Sequence, residues 1–166
     1  MLSKTIRTAV YSALLLAGAS VSAYDHDLAA SYAELFEPVA GAKAGKALHL
    51  ISPEALVESI KKGEEVVALD VRTPAESGLF TMSVPGSLAI PASELFKVEN
   101  LDRLPEDKRI VVVCKSGTRA AAVGTALRHV GFGNVYILKG GFMKLASYLD
   151  AKASNSPPKP DKVAAR

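Results

Sequence analysis

The 166-residue chain holds a single cysteine, Cys114, in the stretch VVVCKSGTRAAAV (residues 111–123). It stands just past a run of branched apolar residues, and Lys115, Ser116, Gly117, Thr118 and Arg119 follow it. Small residues and Gly117 allow this loop to curl until its backbone N–H groups converge on one point, and a helix beginning near Ala120 would add its positive end. With Lys115 and Arg119 contributing charge, such surroundings favour the thiolate, the nucleophilic form of cysteine. The alternative is a small core residue that finishes a strand. The glycine, the two basic residues and the strand-to-helix position together favour a reactive thiol. The spacing also narrows the chemistry. Cysteine-dependent phosphatases place arginine six positions after cysteine, whereas Arg119 lies five after Cys114. The tighter loop suits one extra sulfur atom better than a phosphate group.

A thiol of this kind needs a scaffold, and strand-like and helix-like segments alternate around it. Leu48–Ile51, Val66–Leu69, Leu88–Ile90, Ile110–Val113 and Val135–Leu138 read as short apolar strands. Ser52-Pro53-Glu54 supplies an N-cap, a first-turn proline and an acidic first turn for a helix running to Lys62, with Gly63 as its stop. A helical turn is expected around Ser93–Lys97. Val123, Leu127 and Val130 recur at helical spacing over Ala120–Val130, and a last helix follows the Gly140-Gly141 turn through Tyr148. This alternation predicts an α/β fold with a covered, mostly parallel sheet, in which ligands bind beyond the carboxyl ends of the strands. Cys114 lies at one such end.

The ends of the chain read differently. Lys4 and Arg7 precede a charge-free apolar run, Ala9–Ser20, and small residues at 21–23, so residues 1–23 are expected to be a secretory signal peptide cut after Ala23. The run is shorter than the roughly 20 residues of a spanning helix, so no stable membrane anchor is expected after cleavage. Periplasmic or secreted localisation follows. Residues 24–46 suggest a short helix over Leu28–Glu37 and a linker, residues 47–150 a single compact domain, and residues 151–166 a disordered tail. The segment 1–23 carries two basic residues and no acidic one, so its removal lowers the net charge from +3 to +1. No basic block with interleaved aromatics appears, which argues against nucleic acid as a partner. Asp25-His26-Asp27 reads as a solvated terminus, and His49 and His129 lack partners at ligand spacing, so neither a metal nor a cofactor is expected.

The motifs resemble the rhodanese-like sulfurtransferases. CKSGTR (114–119) is similar to their C-x-x-G-x-R loop, and LDVRTPAE (69–76) to their D-V-R-x-x-x-E segment. VPGSLAIP (84–91) and ILKGGF (137–142) match two further family stretches in the same order. One active loop suggests a single-domain member. Ser83 stands where the family usually has His, and Leu145 where many members have Trp. The resemblance implies a rhodanese-like three-layer fold, a sheet flanked by helices, and a persulfide carried on Cys114. Sulfur would come from a small anionic donor such as thiosulfate and pass to cyanide or a thiol. The implied substrate-binding residues are Lys115, Ser116, Gly117, Thr118 and Arg119, with Lys115 and Arg119 holding the donor unless Arg119 pairs inward to brace the loop. Asp70 and Arg72 would support the site, Arg72 pairing with Glu76, although a plain loop salt bridge is the favoured account of them. Two alternatives use the same loop: a sulfur carrier or redox module serving a protein acceptor, and a noncatalytic module that captures an oxyanion.

Overall fold

The computed structural model describes residues 23–160. The proposed signal sequence, apart from Ala23, lies outside the described residues. Five parallel strands form one sheet: β1 (Leu50–Ile51), β2 (Val66–Asp70), β3 (Leu88–Ala89), β4 (Arg109–Val113) and β5 (Val135–Leu138), in the order β1-β5-β4-β2-β3. The helices are α1 (His26–Phe36), α2 (Ala44–Ala47), α3 (Pro53–Lys61), α4 (Pro74–Leu79), α5 (Val98–Leu101), α6 (Thr118–His129), α7 (Gly141–Tyr148) and α8 (Ala151–Asn155).

β4 is central and buried on both faces, which explains its unbroken apolar sequence. Ile110 and Val112 join Leu69, Ala120, Val123 and Leu127 on the side covered by α6. Val111 and Val113 point the other way, to Leu56, Val57, Leu138 and Leu145 beneath α3 and α7. Each fully buried Leu, Ile or Val contributes roughly 1.5–3 kcal/mol by leaving water. The expected three-layer α/β architecture is therefore present, and its most deeply held strand delivers Cys114.

Several elements differ locally from expectation. The first strand is shorter, because Ala44–Ala47 forms a helical turn and His49 turns the chain at φ 54°. The helical turn expected around Ser93–Lys97 is present as successive turns, with the Glu94 N–H on the Pro91 carbonyl and the Lys97 N–H on the Glu94 carbonyl, and a short helix follows at Val98–Leu101. The tail expected to be disordered from residue 151 begins with α8, capped by the Asp150 side chain accepting from the Ala153 N–H. Lys61 binds the carbonyls of Ala153 and Ser156, and Glu58 accepts the Lys159 N–H. Polar links from α3 thus hold a segment with little to bury. The segment before the core is also tied down. Tyr32 stacks on His129 at the end of α6 with ring centroids 4.0 Å apart, and Ser31 Oγ lies 2.8 Å from His129 Nε2.

Candidate active site

The cysteine loop joins β4 to α6. Cys114 is 1 % exposed, and its Sγ accepts the N–H of Gly117 at 3.1 Å and of Ala120 at 3.4 Å. Gly117 makes this possible: at φ 96° it is the N-cap of α6, which starts two residues earlier than expected, at Thr118. The sulfur therefore sits at the positive end of a 12-residue helix. Two backbone donors and a helix end thus converge on one sulfur atom. Among the described residues, the amides of Lys115, Ser116, Thr118 and Arg119 have no hydrogen-bond acceptor. They are the remaining donors of the predicted nest. Lys115, Ser116 and Thr118 are exposed.

The loop rests on the start of α7. The Phe142 N–H donates to the Cys114 carbonyl at 2.7 Å, and the Met143 N–H to the Lys115 carbonyl at 3.0 Å. Gly140 and Gly141 both have positive φ, and a Cβ on Gly141 would stand 2.3 Å from the Cys114 carbonyl oxygen. The Gly140-Gly141 turn was legible in the sequence. Its purpose, admitting the cysteine backbone, was not.

The arginines are paired differently from the first expectation. Arg72 does not form an ion pair with Glu76. Its guanidinium takes the buried Asp70 carboxylate, with Nη2 2.7 Å from Oδ2 and Nε 3.0 Å from both oxygens. Asp70 lies two residues back at the end of β2 and also accepts the Arg72 backbone N–H, so it is the nearer carboxylate. The remaining donors reach the backbone carbonyls of Glu76 and Phe80, and the guanidinium lies 4.4 Å from the centre of the Phe142 ring. Arg72 thus joins β2, α4 and α7 around the loop. Of the two roles open to Arg119, the structure shows the inward one. Nη1 and Nη2 bind Glu76 Oε2 and Oε1 at 2.8 and 2.6 Å.

Glu76 is the functional neighbour that sequence reasoning did not assign to the cysteine loop. Its local signal is the Thr73-x-x-Glu76 capping box of α4: the Thr73 hydroxyl accepts the Glu76 N–H, and the Glu76 carboxylate accepts the Thr73 N–H. The same carboxylate reaches across to Arg119. The Arg119 hydrogen bond, followed by the Thr73 N–H, lowers the Glu76 pKa from 4.5 to about 2. Arg119 is shifted upward, chiefly by Glu76. Because the folded carboxyl has the lower pKa, the pairing stabilises the fold above about pH 4.5 and is lost as pH falls toward 2. Carboxyl NMR titration should place the Glu76 midpoint near about 2, and Arg119→Met should move it up toward 4.5. A midpoint already near 4.5 in the unsubstituted protein would contradict the pairing.

Other sequence candidates are not part of this site. Asp25 caps α1 by accepting the Leu28 N–H. His49 bonds the Val135 carbonyl through Nδ1 and stacks on Tyr136. Among the described residues, no group of three His, Cys, Asp or Glu side chains could hold a metal ion.

A parallel α/β sheet thus delivers a thiol that is cradled by backbone N–H groups at a helix N-terminus. Residues 52–148 match the rhodanese-like domain. The chain belongs to the rhodanese-like sulfurtransferase family. A protein described as a sulfurtransferase from Allochromatium vinosum is 31 % identical over 98 residues, covering 59 % of this chain and 88 % of the other. A probable adenylyltransferase/sulfurtransferase of Mycobacterium tuberculosis is 31 % identical over 99 residues, which are 60 % of this chain. The match spans only 25 % of the length of that relative. The solved structure of a rhodanese-related protein from Thermoplasma volcanium superposes with a TM-score of 0.51 at 32 % identity, covering 60 % of this chain and 91 % of the other.

Proposed function

We propose that the protein is an exported sulfurtransferase that carries a sulfane sulfur as a persulfide on Cys114. The observation that supports this reading most directly is the Cys114 Sγ accepting two backbone N–H groups at the head of α6. The thiolate attacks the outer sulfur of thiosulfate or a similar donor. A new S–S bond forms at Cys114, the donor's own S–S bond breaks, and sulfite leaves with the electron pair. The amides of residues 115–119 stabilise the charge of the resulting persulfide. Cyanide or a thiol then attacks the terminal sulfur and regenerates the thiolate. Residues 1–23 direct export and are removed, which places the reaction in a periplasm or outside the cell.

The test is the intact mass of the mature protein after brief exposure to thiosulfate, with Cys114→Ser in parallel. The expected result is a gain of one sulfur atom that cyanide removes and the variant lacks. If the reduced thiol gains no sulfur from any sulfane donor, while Cys114→Ser still binds small oxyanions, the loop is an anion-binding module and the proposal fails.

A further inference from the structure

On the face of the sheet opposite α6, a groove of about 650 Å³ runs between α3, α7 and the segment that follows α4. Leu56 and Ile60 of α3, Met82, and Phe142, Leu145 and Leu149 from α7 and its end form the walls. Such a volume and carbon-rich lining belong to a small-molecule site; well-packed cores leave few voids larger than a water. Leu56 and Leu145 are buried at its floor, while Ile60 and Leu149 are 36 % and 45 % exposed. Apolar surface at the mouth is therefore still in water and has free energy to gain from an occupant.

One charged side chain stands on the wall, the partly buried Lys61 at the end of α3. Its ammonium has three donors, and two of them go to the Ala153 and Ser156 carbonyls. Among the described residues, no carboxylate pairs with it. Glu58 and Asp150, which share the neighbouring hollow with Lys61, are engaged elsewhere: Glu58 accepts the Lys159 N–H and Asp150 the Ala153 N–H. The rest of the polar lining is hydroxyl, from Thr81, Ser83 and Ser154, and repels no anion. An unmatched positive charge at the edge of an apolar groove complements an anion with an apolar body.

We infer that the groove binds a free fatty carboxylate. The hydrocarbon chain lies against Phe142, Leu145 and Leu149, and the carboxylate takes the third Lys61 N–H. Walls on three sides admit one chain and exclude a flat bilayer surface. No covalent step is involved. The site is separate from the thiol, although α7 serves both, since the Phe142 and Met143 N–H groups at its start hold the Cys114 loop.

The experiment is isothermal titration of the purified protein with octanoate, decanoate and decanol, each kept below its aggregation limit. Decanoate should bind about fivefold or more tighter than octanoate, because each methylene wholly withdrawn from water is worth about fourfold. Lys61→Met should lower the decanoate-to-decanol affinity ratio by about fivefold, the scale of one solvent-accessible ion pair. The ratio cancels any general change in the groove caused by freeing the tail. Leu149→Glu, on an exposed side chain, should weaken decanoate at least about tenfold with the melting transition preserved. Equal affinity for the two carboxylates, a ratio that Lys61→Met leaves unmoved, or full binding by Leu149→Glu overturns the assignment. So does a concentration-dependent dimer that Leu149→Glu abolishes, which gives the groove to a second copy, or binding confined to anionic vesicles, which gives it to a membrane.

Discussion

Arg72→Ala should destabilise the protein by about 3–5 kcal/mol, the usual result of removing one partner of a buried ion pair. The cost comes mainly from Asp70, which is 4 % exposed and would keep only the Arg72 backbone N–H of its present donors. The carbonyls of Glu76 and Phe80 would also lose their arginine, and Phe142 its cation. For a chain of this length the change corresponds to a fall in Tm of roughly 10 °C. Replacing both members with apolar residues of similar volume, as in Asp70→Leu with Arg72→Met, should recover much of the loss, because no buried charge is then left unpaired. Scanning calorimetry of the three proteins checks this. An Arg72→Ala transition within 2 °C of the unsubstituted protein, on the roughly 10 °C scale expected, would mean that Asp70 finds water or another donor. Sulfur loading should fall in the single variant as well, since Arg72 holds the segment that supplies Glu76 to Arg119.

The contrast between Arg72 and Arg119 shows where sequence reasoning runs out. The sheet was legible because its signals are local: short runs of three or four mainly apolar residues, each closed by a turn or a capped helix. Ser52-Pro53 marked the start of α3 one residue at a time, and Gly63 marked its end. The cysteine loop was legible for the same reason, with nucleophile, glycine and arginine all inside six residues. Partner choice among Asp70, Arg72, Glu76 and Arg119 is a different kind of question. Arg72 could reach either carboxylate along the chain, and the answer depends on α4 lying against a loop that begins 38 residues after Glu76. Only the parallel pairing of β2 with β4 brings them together. The tail failed for a related reason. Its composition offers no core, yet Lys61 and Glu58 on a distant helix provide the contacts that order its first ten residues.

Gly141→Ala should reduce Cys114 loading about a hundredfold, the scale of loss expected when reacting groups are displaced by an ångström. Two costs arise at this residue, and a second glycine separates them. Gly141 has φ 58°, where an added Cβ costs roughly 1–2 kcal/mol in any surroundings. Gly63 has φ 76° and open space around it, so Gly63→Ala carries that backbone cost alone. At Gly141 the new methyl would also stand 2.3 Å from the Cys114 carbonyl oxygen, 2.7 Å from the Gly117 nitrogen and 2.8 Å from the Lys115 carbonyl carbon. All three atoms are backbone, so relief requires moving the cysteine loop or α7. Either movement stretches the Phe142 N–H bond to Cys114 and shifts the Gly117 N–H that Sγ accepts. Gly63→Ala should therefore lower Tm by a few degrees, as its small backbone cost implies, and leave loading unchanged. Gly141→Ala should lower both. If the two variants load sulfur at rates within about threefold of each other, well short of the hundredfold scale, the glycine seat does not fix the geometry of the thiol.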